Sequence, residues 1–448
     1  MGYIKEHFSA KALPMAAEIK EFIKKNEGVE LGTYTIGQAY GGMKSIKALV
    51  TETSLLDPEE GIRFRGYTIP ELREKLPHLD SCKEPLPEGL FYLLLLDEIP
   101  TFKDVQHIAN VWARRAIVPI HVFKALDRLP KETHPMTQFA VGILSLQTES
   151  HFARAYRSGI SKKEYWDPMY EDAMTLIARL PRIAAYIYRR SYKKGKHIEP
   201  NPDLDWAANF AHMLGFDQPD FYSYMRLFLT IHADHEGGNV SAHTTHLVGS
   251  TLSDAYMSFA SGMCGLAGPL HGLANQEVIR WILEMKKNLG KGKLTKEEIE
   301  KYIRQTLAEG KVVPGYGHAV LRKTDPRFLA QMEFAKEHCP DDELVNIVWN
   351  VYEVAPKILS ESGKIKNPWP NVDAHSGSLL VHYGLEEYDF YTVLFGVSRA
   401  LGVLASLVWD RALGHGIERP KSVTTEWMKE YVAKKEVKKE TPVVTTPS

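Results

Sequence analysis

Cysteine and net charge are both scarce in this sequence. Three cysteines, Cys82, Cys264 and Cys339, are spread over 448 residues without a Cys-x-x-Cys pair. Neither a disulfide framework nor a zinc knuckle is expected, and a reducing compartment is indicated. Lysine and arginine number 55 against 56 acidic residues, which gives a formal net charge of −1. This balance excludes a global attraction to nucleic acid or to an anionic membrane.

Long hydrophobic runs are also missing. The run at residues 90–96 stops at Asp97, and the apolar stretch from Val393 is interrupted by Arg399, so no membrane-spanning helix is expected. Residues 1–20 lack the apolar core of a secretory signal. An apolar fraction of 44% and a charged fraction of 25% are typical of a globular protein, here long enough for two or three domains.

Helical periodicity dominates what is present. A β-hairpin is predicted around a turn at residues 57–61, with short β segments at 31–37 and 48–54. Small residues are dense in 252–263, which predicts a closely packed helix. Helical apolar spacing occurs at residues 4–26, 172–193, 205–214, 220–232 and 391–413. We therefore predict a mainly α, two-domain, all-helical protein with a small N-terminal β-hairpin.

The predicted domain boundaries follow shifts in composition. After Trp281 the sequence changes character, and Thr295-Lys-Glu-Glu298 has the form of a capping box that opens a helix. The end of the chain is rich in lysine and glutamate and then in threonine and proline, which predicts disorder. The division is a large helical domain at 1–273, a small helical domain at 274–380, the C-terminal part of the large domain at 381–435 and a disordered tail at 436–448.

Glycines surround His271 in the stretch 262–277, just before a helical pattern. A histidine in the first turn of that helix would lie near the positive end of its dipole, which favours the neutral imidazole. A neutral imidazole can donate a hydrogen bond to a developing oxyanion. The alternative is a histidine that only packs in a glycine-rich loop.

A second histidine cluster contains His232, Asp234 and His235. These side chains suggest a metal site, but the zincin spacing is absent and no third ligand has an obvious offset. His235, just before Gly237 and Gly238, is better interpreted as a hydrogen-bond donor at a helix end facing a cleft.

The loop at residues 312–318 has two glycines around Tyr316 and ends at His318. Its free amides can cradle an adenine or a phosphate, although it is not a P-loop. Arg322 and Arg327 are candidate anion ligands. Their neighbours Lys323 and Asp325 are expected to be solvated turn residues.

Two charged residues lie in apolar surroundings. Asp373 follows a rigid Pro-Trp-Pro stretch, and a raised pKa there would suit a general base, with an N-cap as the alternative. Arg399 lies in an otherwise uncharged helix, and a buried guanidinium needs an anion, either Asp410 or another acid, or a ligand carboxylate. The ligand is favoured because no acid lies one or two turns away. Arg419 could be a surface residue.

Six ordered blocks, between about residues 35 and 425, resemble citrate synthases of the eukaryotic mitochondrial type. They are Gly41-Gly-Met-Lys, Glu60-Gly-Ile-Arg-Phe-Arg-Gly, His235-Glu-Gly-Gly-Asn, Gly265-Leu-Ala-Gly-Pro-Leu-His-Gly, Pro314-Gly-Tyr-Gly-His and Asn371-Val-Asp-Ala-His-Ser-Gly. The resemblance implies a citrate-synthase-like fold, an obligate homodimer, the mitochondrial matrix and entry into the tricarboxylic acid cycle. It also implies an acyltransferase that condenses acetyl-CoA with oxaloacetate and hydrolyses citryl-CoA to citrate and CoA.

The resemblance also implies the catalytic roles. Asp373 is the expected base for the methyl proton of acetyl-CoA, His271 the neutral donor to the thioester oxygen, and His318 the group that protonates the oxaloacetate carbonyl. The expected oxaloacetate ligands are His235, Arg327 and Arg399, with Arg419 supplied by the partner subunit.

For CoA, the resemblance implies an adenine-binding backbone and several phosphate contacts. Lys44 stands where many relatives have arginine, so the charge remains while the bidentate fork is lost. No metal or cofactor is expected, because acetyl-CoA is a substrate and arginine and histidine handle the charge. The expected CoA contacts are Val313, Pro314, Gly315, Tyr316, Lys44, Arg322 and Lys366.

Three alternatives remain open at this point. The first is 2-methylcitrate synthase, which has the same fold and mechanism and uses propionyl-CoA. The second is a metal-dependent hydrolase using His232, Asp234 and His235. The third is a non-catalytic helical scaffold. The presence of all three residues, His271, His318 and Asp373, argues against it.

Overall fold

The structure, a computed structural model, describes residues 2–290, 294–361, 363, 365 and 367–440, and only the backbone of 437–440. Its elements are α1 Gly2–Asn26, α2 Ile36–Tyr40, β1 Ser54–Asp57, β2 Gly61–Phe64, β3 Tyr67–Thr68, α3 Ile69–Lys75, α4 Pro87–Leu96, α5 Phe102–Arg115, α6 Ile120–Asp127, α7 Pro135–Ser145, α8 His151–Arg157, α9 Trp166–Tyr192, α10 Trp206–Leu214, α11 Pro219–Ile231, α12 Val240–Ser250, α13 Ala255–Leu266, α14 Ala274–Leu289, α15 Lys296–Ala308, α16 Pro326–His338, α17 Glu343–Glu361, α18 Asp373–His382, α19 Tyr391–Leu413 and α20 Thr425–Glu440. Short 3-10 turns lie at Gln147–Glu149, Lys162–Glu164 and Tyr388–Phe390. The predicted mainly helical fold is confirmed.

The predicted hairpin is present and is extended by a third strand. β1 and β2 pair antiparallel around Asp57, whose carboxylate accepts the N–H groups of Glu59 and Glu60 at 2.7 and 2.9 Å. β3 then pairs antiparallel with β2. The β segment expected at 31–37 is wrong, and the one expected at 48–54 overlaps a strand only at Ser54, where β1 begins. Residues before α2 are irregular, and the Thr35 side chain opens α2 with a capping box instead.

Helix α19 is a central, buried helix of the fold. It packs against α9, α4, α1 and α13, and its bounds are those predicted from its apolar spacing. By length and composition the segment Tyr388–Leu413 is apolar enough to cross a membrane, although no such segment is expected from the sequence. However, its apolar window is buried inside the protein. It is therefore a core helix.

Helices α12 and α13 approach unusually closely. A Cβ at Gly262 would lie 2.1 Å from the Thr245 hydroxyl and 2.7 Å from the Ser241 carbonyl oxygen. The small side chains predicted to pack closely in 252–263 are therefore at a helix–helix contact.

Helices α14 to α18 pack largely on one another. The predicted capping box is confirmed, because the Thr295 side chain accepts from the Glu298 N–H and the Glu298 carboxylate accepts from the Thr295 N–H. This helical group meets the β-sheet region where the Arg322 N–H donates to the Pro58 carbonyl at 2.7 Å. Its α16 also contacts α3 and α11.

The C-terminal segment is helical as far as the structure describes it. Helix α20 reaches Glu440, so it includes the first residues of the tail expected to be disordered from 436. Residues 441–448 of that tail lie outside the described residues.

Candidate active site

His271 lies in the turn between α13 and α14, three residues before α14 begins at Ala274. Its Nε2 atom is 3.2 Å from the backbone N–H of Ser241, which donates to it. Nε2 therefore holds a lone pair, and the ring proton of the neutral form is on Nδ1. Burial, and then the charge of Arg399, lower the pKa of His271 to about 4. The ring is neutral as predicted, but burial is the cause rather than a position in the first helical turn.

His318 has the opposite tautomer. Its Nδ1 accepts the N–H groups of Val320 at 3.0 Å and Leu321 at 3.1 Å. A proton on Nδ1 would break both bonds, so the neutral ring carries its proton on Nε2. Burial and the nearby Arg327 lower the pKa of His318 to about 4. This histidine can donate one hydrogen bond without carrying charge.

His235 lies in the turn that follows α11, and its ring faces His318 edge-on. The two ring centroids are 5.3 Å apart at an interplanar angle of 77°. Nε2 of His235 is buried and has no hydrogen-bond partner among the described residues. Burial lowers the pKa of His235 well below its usual value, with further lowering by Arg327, His318, Arg399 and His271. Four predicted site residues are therefore close enough to affect this one ring.

Asp234 has a structural role that the sequence did not indicate. Its carboxylate accepts the hydroxyls of Thr53 at 2.7 Å and Ser54 at 2.8 Å, and the backbone N–H of His235 at 2.9 Å. These bonds tie the turn that carries His235 to the strand region. Within the described chain, no group of three or more His, Cys, Asp or Glu side chains is arranged to hold a metal.

Arg399 is 1% exposed, as the sequence predicted for a buried guanidinium. Nε donates to the His232 carbonyl at 3.1 Å, and Nη1 donates to Asn239 Oδ1 at 2.9 Å and Ser241 Oγ at 3.1 Å. These acceptors are all uncharged. Asp410, the acid considered as its partner, is instead bonded to His246 and His415. Burial lowers the pKa of Arg399 to about 10, which shows how poorly its charge is compensated.

Arg327, at the start of α16, has one strong partner. Its Nη2 and Nε donate to Asp325 at 2.6 and 3.0 Å, and its backbone N–H donates to the same carboxylate at 2.9 Å. Asp325 is completely buried, so the expectation of a solvated turn residue is wrong. Its position before Pro326 at the start of a helix is typical of an N-cap, and that signal could have found it.

Asp373 is the first residue of α18 and does not cap it. Its Oδ1 is buried without a hydrogen-bond partner among the described residues. Burial raises the pKa of Asp373 to about 7, with the attraction of Arg327 and Arg399 opposing the rise. The backbone N–H of Asp373 donates to Asn371 Oδ1 at 3.0 Å, which fixes the start of the helix. The raised pKa expected for a base is therefore present.

The loop that carries His318 is fastened to the segment that carries Asp373. Gly317 N–H donates to the Trp369 carbonyl at 3.0 Å, and Asn371 N–H donates to the Gly315 carbonyl at 2.9 Å. Gly315 has a φ of +78°, and a Cβ there would lie 2.9 Å from the Cα of Ala374. Glycine is required here by both the backbone conformation and the close approach.

A comparable close approach joins α19 to the turn of His235. The N–H of Gly402 donates to the Ala233 carbonyl at 3.2 Å, and a Cβ at Gly402 would lie 2.4 Å from the Cβ of Asp234. The helix that carries Arg399 therefore touches the loop that carries His235 without an intervening side chain.

The predicted CoA contacts are more dispersed. Val313 is buried and Tyr316 is half-buried, with its hydroxyl group unpartnered among the described residues. Arg322 is exposed and donates through Nη1 to the carbonyls of Val320 and Leu321 at 2.7 and 2.8 Å. Lys44 is exposed in the turn after α2, and Lys366 lies outside the described residues.

Arg419 is exposed in the irregular segment between α19 and α20. It does not join the group formed by His235, Arg327 and Arg399 through any hydrogen bond or ion pair of the described residues. Its neighbour Glu418 is bonded to His243 at 2.9 Å. His235, Arg327 and Arg399 are close enough for both arginines to lower the pKa of His235, whereas Arg419 is not among the groups that act on that ring.

The similarities to known proteins agree with this geometry. The family model "Citrate synthase, C-terminal domain" matches residues 42–421. The mitochondrial citrate synthase of Daucus carota is 56% identical over 437 residues, which cover 95% of this chain and 92% of that relative. The mitochondrial 2-methylcitrate synthase of Yarrowia lipolytica is 57% identical over 434 residues, covering 96% of this chain and 93% of that relative. The crystal structure of citrate synthase from Pyrobaculum aerophilum has a TM-score of 0.74 at 28% identity, covering 86% of this chain and 92% of that one.

A buried carboxyl of raised pKa, neutral histidines and buried arginines in one helical fold define an enzyme of carbon–acid and carboxylate chemistry. The chain belongs to the citrate synthase family. This membership confirms the predicted acyltransferase, which condenses acetyl-CoA with oxaloacetate and hydrolyses citryl-CoA to citrate and CoA. The mitochondrial relatives confirm the predicted location.

Proposed function

We propose that Asp373, His271 and His318 divide the chemistry of citrate formation among them. Asp373 removes a proton from the methyl carbon of acetyl-CoA, and the nucleophilic carbon then attacks the ketone carbon of oxaloacetate. Water finally cleaves the thioester of citryl-CoA and releases CoA. The observation that carries this proposal is the buried, unpartnered Oδ1 of Asp373, because a base must have a free lone pair aimed at its substrate.

Asp373 suits this step because of where its pKa lies. A thioester α-proton is a poor acid, so a strong base is needed, and an ordinary carboxylate is too weak. Burial raises the pKa of Asp373 to about 7, which increases its basicity while leaving a large ionised fraction at neutral pH.

His271 stabilises the enolate that forms on the thioester oxygen. The Ser241 N–H occupies its Nε2, so Nδ1–H is the donor. Because burial and Arg399 hold its pKa at about 4, the ring donates as a neutral imidazole. A neutral donor in a water-poor site stabilises developing charge without first attracting a carboxylate.

His318 acts on the other substrate. With Nδ1 held by two backbone amides, Nε2–H donates to the ketone oxygen of oxaloacetate and transfers its proton to it as the carbon–carbon bond forms. The imidazolate left behind is stabilised by the same two amides and regains a proton from water. The edge-on ring of His235 beside it adds a donor or acceptor on the same side of the substrate.

Arg327, Arg399 and His235 bind the two carboxylates of oxaloacetate. Among the described residues, these two buried guanidiniums have one carboxylate partner between them, Asp325 on Arg327. A bound dianion would supply the missing negative charge, and charge-assisted bonds of this kind contribute roughly 1.5–3 kcal/mol each. Arg419 completes this set from the partner subunit.

The homodimer is supported by the exposed apolar residues of the two ends of the chain. On the N-terminal side, Leu31 is 75% and Tyr34 67% exposed, and on the C-terminal side Ile417 is 62% exposed. The two regions meet where the Tyr40 hydroxyl lies 2.6 Å from the Thr425 hydroxyl, and a partner surface there would bury these large side chains.

The two lobes, residues 1–273 with 381–435 and residues 274–380, close around oxaloacetate. Charged side chains meet across the boundary, as in Arg73 with Glu333 at 2.6 Å and Lys323 with Glu59 at 3.2 Å. Closure by the dianion would then complete the acetyl-CoA site only when oxaloacetate is present.

CoA binds along the loop of the small lobe. The backbone of Val313, Pro314, Gly315 and Tyr316 surrounds the adenine, and positive charges from Lys44, Arg322 and Lys366 contact the phosphates. Gly315 permits the close approach that this loop makes to α18. No metal or cofactor takes part, because the proposed proton transfers and charge stabilisation are complete with Asp, His and Arg.

A thiol-release assay with oxaloacetate present and absent tests this function. Free CoA should appear rapidly only with both substrates, and release without oxaloacetate at a similar rate would contradict ordered closure. The Yarrowia lipolytica relative makes 2-methylcitrate synthase the second candidate function. Comparing kcat/KM for acetyl-CoA and propionyl-CoA in the same assay separates the two, with acetyl-CoA expected to be the better substrate.

A further inference from the structure

The segment that carries Arg419 is irregular, exposed and fastened at only a few points. It spans residues 414–424 between α19 and α20. His243 Nε2 lies 2.9 Å from Glu418 Oε2, and the Glu418 N–H donates to Ser250 Oγ at 3.0 Å. Both bonds hold the residue next to Arg419 against α12.

A third fastening point is the base of the same segment. Asp410, on the last turn of α19, lies between His246 Nδ1 at 2.5 Å and His415 Nδ1 at 3.0 Å. This places one carboxylate between a residue of α12 and a residue of the segment. The arrangement ties α12, α19 and the start of the segment together.

The groups of this cluster shift one another's pKa values. Burial would lower the pKa of His246, but Asp410, Asp234 and Glu418 outweigh it and raise that pKa. Asp410 and Glu52 raise the pKa of His415, against burial and the charge of His246. The two histidines hold the pKa of Asp410 far below its usual range despite burial. Opposite charges at hydrogen-bond distance hold a backbone more firmly than neutral contacts do.

We infer that Glu418, His243 and the His246–Asp410–His415 group are positioning residues that hold Arg419 in place for the partner subunit. The inference rests on the proposed role of Arg419 as an oxaloacetate ligand across the dimer. A long exposed side chain loses conformational freedom on binding. Fixing the residue beside Arg419 lowers that loss. These positioning residues therefore act on the affinity for oxaloacetate and not on the proton transfers.

The test compares Glu418→Ala and His243→Ala with wild-type dimers in steady-state kinetics. Each is expected to raise KM for oxaloacetate by about tenfold, the scale of one lost charge-assisted hydrogen bond. KM for acetyl-CoA, kcat and the melting temperature should stay close to wild type. Glu418→Gln, which keeps an acceptor oxygen, is expected to restore most of the affinity. The matched control is His212→Ala, which removes a similar pair with Asp217 at 2.7 Å and should leave every parameter unchanged.

A double variant separates this inference from the proposed function. In an Arg419→Ala background, Glu418→Ala should cause no further rise in KM for oxaloacetate. A further rise in KM as large as in the wild-type background would overturn the inference. An unchanged KM for oxaloacetate in the single variants would also overturn it. So would a lower melting temperature accompanied by changes in all kinetic parameters. If Arg419→Ala alone leaves KM unchanged, the role of Arg419 fails and the inference fails with it. A normal Arg419→Ala effect with a silent Glu418→Ala overturns the inference alone.

Discussion

The backbone N–H of Ser241 donates to Nε2 of His271 over 3.2 Å. The bond comes from the main chain, and the Ser241 hydroxyl lies 3.0 Å from the same Nε2. The Ser241 hydroxyl also accepts from Arg399 Nη1 at 3.1 Å. One residue of α12 therefore links the proposed oxyanion donor to a proposed carboxylate ligand.

Replacing Asp373 by alanine should abolish condensation and leave oxaloacetate binding largely intact. A general base contributes roughly 10²- to 10⁴-fold, so kcat is expected to fall by at least that range. Calorimetric titration with oxaloacetate checks the binding step. Asp341→Asn, an exposed acid in the turn before α17, serves as the control. An equal loss of binding and turnover would contradict the division of roles.

The pH dependence of turnover should follow the ionisation of Asp373. Its pKa of about 7 means that kcat/KM for acetyl-CoA rises with pH and levels off above neutrality, since only the carboxylate is a base. His271 and His318, with pKa values of about 4, stay neutral across this range. They therefore add no second ionisation to the pH–rate profile. The rates are measured in buffers of about equal ionic strength. A rate independent of pH between 5.5 and 8 would rule out Asp373 as the titrating base.

The same raised pKa makes Asp373 a cost to the fold. The folded chain binds this proton more tightly than the unfolded chain, whose carboxyl has its ordinary pKa of 3.8. Stability from this group is therefore lost as pH rises from about 4 to about 7. Asp373→Asn should raise the free energy of unfolding at pH 8 by up to about 4 kcal/mol and change it little at pH 4. Denaturant titrations at both pH values measure this difference, and a destabilised variant at pH 8 would refute it.

Arg399→Gln should weaken oxaloacetate binding by roughly 100-fold, the equivalent of about 3 kcal/mol for one or two charge-assisted bonds. The fold should not lose stability in proportion, because the guanidinium has only uncharged acceptors in the described structure. Calorimetry gives the affinity and thermal denaturation the stability. Arg280→Gln, which removes an exposed arginine paired with Glu277, is the control, and equal effects of both substitutions would speak against a ligand role.

Active-site sharing can be tested with mixed dimers. Asp373→Ala dimers should be nearly inactive, and Arg419→Ala dimers should have a strongly raised KM for oxaloacetate. At sub-saturating oxaloacetate neither turns over appreciably, whereas a hybrid dimer regenerates one complete site and recovers activity. The recovery should approach half of the wild-type rate per dimer if hybrids are purified with two different affinity tags. Verified heterodimers without recovery would show that Arg419 does not act across the interface.

Gly315→Ala should damage both stability and turnover, while Gly310→Ala should damage neither to the same degree. Both glycines have a φ near +75°, but a Cβ at Gly310 meets nothing within 4 Å and one at Gly315 meets Ala374. The shared left-handed strain costs roughly 1–2 kcal/mol, and the collision adds roughly 1–3 kcal/mol. Because Ala374 follows Asp373, kcat should fall in Gly315→Ala alone. Equal effects of the two would show that the contact with α18 is unimportant.

Local signals predicted much of the helical framework. The bounds of α19 and the capping box of Thr295 follow from periodicity and from helix-terminal chemistry, both of which are encoded within a few residues. The error at 31–37 has the same origin, because alternating apolar residues suggested a strand while Thr35 and Gln38 form a capping box. Leu31 and Tyr34 are also largely exposed, so their spacing does not report on a core of this chain.

Contacts between distant residues were beyond local signals. Arg399 was identified because a charge in an apolar helix is unusual, yet its acceptors Asn239 and Ser241 lie about 160 positions earlier in the chain. The burial of Asp325 and its pairing with Arg327 depend on how α16 docks. The direction of a pKa shift could be anticipated for Asp373, but the tautomers of the histidines required the backbone donors to be seen.

The backbone contact at Gly402 has a consequence for which diacids the enzyme accepts. Since α19 and the loop of His235 touch directly at Ala233 and Asp234, the span between Arg399 and His235 is set before any ligand arrives. A rigid span selects by molecular length, so homologues of oxaloacetate with one more methylene between their carboxylates should bind poorly. Any residue larger than glycine at 402 would change the distance between Arg399 and His235 and, at the same time, the register of the helix.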